Sequence, residues 1–245
     1  MLSFFKQKPV LKDLIPNNFV DIHSHLLPGI DDGAKTIDDT RNLILELKSF
    51  GYNHFITTPH IITNVWKNNE TSIENHYNSI NAELEKEGLF SSFNVAAEYM
   101  IDSFFMKRLE TEKLLTLKDN YVLIEMSYLN PPIQLYDIIF EIQLAGYTPV
   151  LAHPERYTFY HHNFSEYEKL KKTGCLFQLN LLSTVDYYGK NISSVADKLL
   201  QKGMIDFVGS DVHHANHIQS FYKKVSIKNT DALKVAMDKN LFFLP

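Results

Sequence analysis

Five times along this chain a helix-patterned stretch ends on a glycine and a short apolar run follows. The helical stretches are "TIDDTRNLILELKSFG" (36–51), "SIENHYNSINAELEKEG" (72–88), "IQLYDIIFEIQLAG" (133–146), "SEYEKLKKTG" (165–174) and "SSVADKLLQKG" (193–203). They close on Gly51, Gly88, Gly146, Gly174 and Gly203, and glycine accepts the left-handed backbone that stops a helix. In the first, Thr36 or Asp38 is the candidate N-cap. The runs that read as strands are "FVDIHS" (19–24), "HFITT" (54–58), "FNVAAE" (93–98), "YVLIEM" (121–126), "YTPVLAH" (147–153), "CLFQLN" (175–180) and "DFVGSD" (206–211). Strands alternating with helices, without sequence identity between units, are the signature of βα units around a parallel sheet. A length of 245 residues with no linker or low-complexity tract predicts one α/β barrel domain over 19–245, with residues 1–18 as an N-terminal extension outside it.

Composition narrows the function. The net charge is −5 and no Lys/Arg-rich block occurs, so nothing favours nucleic acid or an anionic membrane as partner. No run is long enough to span a bilayer, and "MLSFFKQKPVLKDLIP" places Lys6 and Lys8 inside its only apolar cluster, unlike a secretory signal. A cytoplasmic protein without membrane insertion is expected. Cys175 is the only cysteine, which excludes an intrachain disulfide and a thiolate-rich zinc cluster. No glycine-rich phosphate loop is present, so no nucleotide cofactor is expected.

In a parallel αβ barrel the loops after the strands build the active site. Those positions hold His23 and His25 after the first strand, His60 after the second, Glu98 ending the third and Glu125 in the fourth. His153 ends the fifth, and Asp211 and His213 follow the seventh; the sixth offers no obvious ligand. Imidazoles and carboxylates forced toward one point call for cations. One aspartate of the "DD" in "FVDIHSHLLPGIDDG" completes nine ligands, enough for two or three divalent ions bridged by carboxylates. Nitrogen and oxygen donors without sulfur favour zinc, manganese or iron. His23 and His25, two apart on a strand, share one face; Asp21 shares it too and is expected to orient an imidazole. His54, His76, His161, His162, His214 and His217 lie elsewhere and are expected to be solvated, with the last two close to the site.

In their order, "DIHSHLLPGIDDG", "TTPH", "AAE", "LIEM", "AHPERY" and "SDVHH" resemble the polymerase-and-histidinol-phosphatase (PHP) superfamily. Within it they resemble the bacterial protein-tyrosine phosphatase branch of capsular and exopolysaccharide synthesis. The resemblance covers residues 19 to about 214 and implies a distorted seven-stranded (β/α)7 TIM-like barrel, the PHP fold. It implies a trinuclear site: His23, His25, Glu98 and Asp211 on one ion, Glu98, Glu125 and His153 on a second, and Asp32, His60 and His213 on the third. It also selects Asp32 over Asp31. Glu98 and Asp211 become catalytic with Arg156, the phosphate-binding arginine of "HPERY". The branch has an arginine directly after the second-strand histidine, where this chain has Ile61, and another in the loop after the last motif, where "HANHIQSFYKK" has none.

The chemistry this implies is phosphomonoester hydrolysis by metal-activated water, with Arg156 gripping phosphate oxygens. The implied substrate is phosphotyrosine on a protein, a polysaccharide-synthesis tyrosine kinase above all. Tyr99, Tyr128, Tyr157 and Tyr160 follow ligand strands and are expected to form an aromatic wall. Three alternatives stand beside this: a histidinol-phosphate or other small-phosphomonoester hydrolase, an amidohydrolase-type barrel, and a metal-stabilised module that binds a phosphorylated partner with weak activity. Glu125, where an amidohydrolase needs a bridging lysine, weighs against the second.

Overall fold

The computed structural model describes residues 7–86 and 92–245. Its strands are β1 (Phe19–Asp21), β2 (Tyr52–Thr57), β3 (His60–Ile61), β4 (Phe93–Val95), β5 (Glu98–Met100), β6 (Tyr121–Glu125), β7 (Thr148–Ala152), β8 (Leu176–Asn180) and β9 (Phe207–Gly209). The helices between them are α1 (Ile37–Ser49), α2 (Glu70–Lys86), α3 (Phe105–Thr111), α4 (Leu135–Leu144), α5 (Ser165–Lys172), α6 (Lys190–Gln201), α7 (Ala215–Ser220) and α8 (Thr230–Lys239). All strand pairs are parallel, in two sheets ordered β1-β2-β4 and β3-β5-β6-β7-β8-β9. The α/β class and the parallel pairing follow the sequence pattern, but the strands form two sheets instead of one seven-stranded array.

The division has a local cause. The second strand is interrupted at Thr58-Pro59, where proline has no N–H for the ladder, and the third is interrupted at Ala96-Ala97. Single bonds cross the gap, Ala96 N–H to Thr57 O at 2.9 Å and Glu98 N–H to Pro59 O at 3.1 Å. At the opposite edge Ser24 and Val212 form a parallel bridge, flanked by Asp211 N–H to His23 O at 2.7 Å and His25 N–H to Val212 O at 2.9 Å.

Strand alternation sorts the apolar residues into two clusters. Val122, Ile124 and Leu151 join the larger one, between strands and helices. Val20, Ile56, Leu123, Val150 and Phe207 join the smaller one, to which strands of both sheets contribute. Glu125, two residues beyond Leu123, therefore ends β6 on the inner face.

Helix α1 begins on a capping box: Asp39 N–H donates to the Thr36 hydroxyl, and Thr36 N–H to the Asp39 carboxylate. Thr36, and not Asp38, is the N-cap. Gly51 ends this unit at φ +112°. Gly88, read as the stop of the second helix, lies outside the described residues. Residues 7–18 lie outside both sheets, yet they are not an appendage: Leu11 is fully buried in the larger cluster, and Leu11 N–H and Lys12 N–H bond to Lys223 O and Phe221 O, each at 3.0 Å. No described helix is long and apolar enough to cross a membrane.

Candidate metal centre

The strand ends bring the nine ligand candidates together in four overlapping groups, each with donor atoms within 4.8 Å of one another. They are His25-Asp32-His60-His213, His23-Glu98-His153, His23-His25-Asp211 and His60-Glu98-Glu125. Glu98 joins two groups, as a bridging carboxylate would: its Oε2 lies 3.3 Å from His23 Nε2 and 3.1 Å from His60 Nδ1, and its Oε1 lies 3.0 Å from His153 Nε2. The grouping differs from the expected one at His153, which stands with His23 instead of Glu125, at His25, which also joins Asp32, and at His60, which also joins Glu98 and Glu125. Asp32 Oδ1 lies 3.6 Å from both His60 Nε2 and His213 Nε2. Two of the candidates, His153 at φ +37° and Asp211 at φ +50°, adopt left-handed backbone, strain of the kind that concentrates at functional sites.

Protein groups alone do not satisfy this cluster. His60 Nδ1, Glu98 Oε2 and Glu125 Oε1 are buried and have no hydrogen-bond partner, although Glu125 Oε1 and His60 Nδ1 are 3.0 Å apart. Buried polar atoms left without a protein partner are what a bound cation would satisfy. Burial pulls the imidazoles toward neutrality, yet Glu98 and Asp211 carry His23 up to about 10. Against the same burial, Asp31 raises His25, and Glu125 and Glu98 raise His60, both well above the ordinary range. Burial would lift the carboxyls of Glu98 and Asp211, but the imidazoles, His23 foremost, hold them well below their usual range. The donor set demands positive charge, and its nitrogen-and-oxygen chemistry fits divalent transition metals.

Neighbours set the orientation of the imidazoles. His23 Nδ1 lies 2.7 Å from Gln178 Oε1, and His25 Nδ1 lies 2.8 Å from Asp31 Oδ2, which leaves each Nε2 facing the centre. Asp31 is thus a buried support and Asp32 the half-exposed ligand candidate. The sixth predicted strand, now β8, serves the site through amides: Gln178 steadies His23, and Asn180 Nδ2 donates to Asp211 Oδ2 at 2.6 Å. Asp21, expected to orient an imidazole, instead accepts from Ser210 N–H at 2.9 Å and Ser210 Oγ–H at 2.5 Å, tying the β1 end to the β9 end.

Arg156 Nη1 donates to Asp211 Oδ2 at 2.9 Å, and its guanidinium lies 4.7 Å from the Tyr128 ring centre and 4.1 Å from that of Tyr188. It faces a pocket of about 530 Å³ whose walls include Asp32, His60, Trp66, Tyr128 and Tyr188. Of the expected tyrosine wall only Tyr128 stands there. Tyr99 and Tyr157 are fully buried and receive Leu115 N–H and Met126 N–H, and Tyr160 packs in the core. Tyr188 and Trp66 carry no charge or ligand spacing that would single them out in sequence. His217, expected in solvent, is buried, and its Nδ1 accepts from His213 N–H at 3.1 Å. His76 and His161 are likewise bonded, to Pro28 O and Glu155 O. Ile61, noted in the sequence as standing where the resembled branch has an arginine, turns away from His60 into the larger core cluster.

A parallel α/β fold with imidazoles and carboxylates converging at the strand ends defines a protein of the metal-binding α/β class, with side-chain groups able to hold metal. The chain belongs to the CpsB/CapC family of capsular polysaccharide synthesis, whose model matches residues 19–230. It is 31% identical over 196 residues to the tyrosine-protein phosphatase YwqE of Bacillus subtilis, covering 80% of this chain and 77% of that one. It is 28% identical over 204 residues to the tyrosine-protein phosphatase CpsB of Streptococcus pneumoniae, covering 80% and 83%. A solved structure from work on these two proteins, described as unique metal-dependent tyrosine phosphatases, superposes with a TM-score of 0.75 at 30% identity over 82% of this chain and 84% of that one. Histidinol phosphate phosphatase of Lactococcus lactis shares the fold, with a TM-score of 0.56 at 12% identity over 92% and 94%.

Proposed function

We propose that this chain is a metal-dependent phosphatase that hydrolyses phosphotyrosine on a protein, in the cytoplasm, with a tyrosine kinase of polysaccharide synthesis as its partner. The observation that carries this reading is the convergence of His23, His25, Asp32, His60, Glu98, Glu125, His153, Asp211 and His213 in overlapping donor groups. They would hold two or three manganese, zinc or iron ions, with Glu98 shared between ions. Such ions, when bound, supply a water of lowered pKa and positive charge for phosphate oxygens.

The chain's own residues do the rest. Arg156, fixed by Asp211 and two tyrosine rings, keeps N–H donors for the phosphate. Tyr128 and Trp66 line the same pocket and add aromatic surface for a phenolic substrate. Residues 19–245 act as one catalytic unit, and the Ser24–Val212 bridge, with the bonds crossing the gap at Thr57 and Pro59, supports reading the two sheets as one distorted seven-stranded (β/α)7 barrel.

The test is turnover by protein reconstituted with manganese, zinc, iron or magnesium on a phosphotyrosyl peptide, a phosphoseryl peptide and histidinol phosphate. Phosphotyrosyl hydrolysis that disappears on chelation is the expected result. Preferred turnover of histidinol phosphate would replace this reading with the small-molecule one. Tight phosphopeptide binding without turnover would replace it with the binding module.

A further inference from the structure

We propose that an apolar groove beside the metal pocket is a specificity subsite for an apolar residue next to phosphotyrosine in the substrate polypeptide. The inference rests on the phosphotyrosine reading above. The groove measures about 680 Å³ and lies between the turn after β5 and the loop 127–134 after β6. Ile62 and Met100 line both this groove and the metal pocket, so the two cavities share a wall.

Beyond that wall, Met106, Ile133 and Ile138 supply apolar surface. Asp102 is the only charged side chain among its described lining residues, and its carboxylate is already engaged. Oδ2 accepts from Thr63 N–H at 3.1 Å and Oδ1 from Phe104 N–H at 2.8 Å. The groove has no cationic side chain among its described lining residues and its one carboxylate is held by backbone N–H groups, so its largest contiguous surface is apolar and the guest it suits is an uncharged, apolar side chain. The loop beside it holds Ile133 fully exposed and Leu129 at 87% exposure. Large apolar side chains kept in water beside a cavity mark a surface that is covered on binding.

Continuity with the metal pocket identifies what covers it. Successive Cα atoms in a polypeptide are about 3.8 Å apart, so a residue one or two places from phosphotyrosine reaches past the shared wall while the phosphate stays at the centre. A small phosphomonoester has no second residue to place there. The groove therefore discriminates among phosphotyrosyl polypeptides without touching the hydrolysed bond.

The experiment compares kcat/KM of the metal-loaded protein on 4-nitrophenyl phosphate and on two phosphotyrosyl peptides that differ only in having leucine or serine beside the phosphotyrosine. The leucine peptide is expected to be preferred by about 10-fold or more, the usual size of discrimination by an apolar pocket. Ile133→Asp should abolish that preference by raising KM for the leucine peptide alone. The serine peptide and 4-nitrophenyl phosphate should be hydrolysed as before, and because Ile133 is fully exposed the substitution does not endanger folding. Met106→Lys, on the facing wall, should act in the same direction. Equal hydrolysis of both peptides by the unaltered protein, or an equal loss on all three substrates in Ile133→Asp, would overturn the subsite. Hydrolysis of 4-nitrophenyl phosphate with neither peptide cleaved is a separate result, which overturns the phosphotyrosine reading itself.

Discussion

At the scale of single residues, the side chains behind the ligand candidates decide how well the centre is built. Among the described residues, Gln178 is the one side-chain partner of His23 Nδ1, at 2.7 Å. Replacing it with leucine keeps the volume but frees the ring to turn, so Gln178→Leu should weaken metal affinity about 10- to 100-fold, the usual cost of losing such a support. Metal titration against a competing chelator measures this, and unchanged affinity in the folded variant would remove the role assigned to Gln178. Glu155 offers a pH test. Burial pushes its carboxyl up to about 7, against hydrogen bonds from Ser183 Oγ at 2.7 Å and Asn180 N–H at 3.0 Å, while Oε2 has no partner. A folded-state value above the unfolded one means that its contribution to stability is whole below about 4.5 and is lost as pH rises through about 7. Glu155→Gln should therefore flatten the decline in thermal stability of metal-free protein over that window. Melting curves that keep the same pH slope in both proteins would show that Glu155 is not its source.

At the scale of elements, the turn 28–35 fixes where Asp32 stands by resting on His25. A Cβ on Gly33 would lie 2.1 Å from His25 O and 2.5 Å from His25 Cβ, so no side chain fits without moving backbone. Gly33→Ala should destabilise by about 1 to 3 kcal/mol, roughly 2 to 12 °C in Tm for a domain of this size, and should lower metal affinity. An unshifted melting temperature would contradict this packing. Eight of the nine ligand candidates were legible in the sequence because each is an ionisable residue at or just after the end of an apolar run, and parallel topology gathers such ends; Asp32, in a turn beside Asp31, was separated from its neighbour only by the family resemblance. The supports were not legible: Gln178 and Asn180 are neutral amides whose role exists only once β8 lies beside β7 and β9. The tyrosines misled because following a ligand strand does not fix which way a ring turns, and Tyr157 spends its hydroxyl on Met126 N–H. The strand breaks were hidden because a run such as "FNVAAE" has one apolar pattern whether or not its ladder is continuous.

At the scale of the whole molecule, Cys175 is a built-in reporter. It is the chain's single cysteine and is fully buried, and burial pushes its thiol up to about 12. Iodoacetamide should leave the native protein unlabelled and react in step with global unfolding. Added metal should move the labelling midpoint to higher denaturant, by about 2.7 kcal/mol at a hundredfold excess over Kd. Labelling at the same rate in native and unfolded protein would place Cys175 outside the cooperative core. The join between the ends of β1 and β9 bears on the order of events in folding. Asp21 and Ser210 meet across 189 residues of sequence, and closing so long a loop is slow and entropically costly. His23 and His25 emerge early in synthesis, whereas Asp211 and His213 arrive only with the last strand. An ion held by His23, His25 and Asp211 would need both ends of the chain, so it would bind only after β1 and β9 have met and would not template the early collapse.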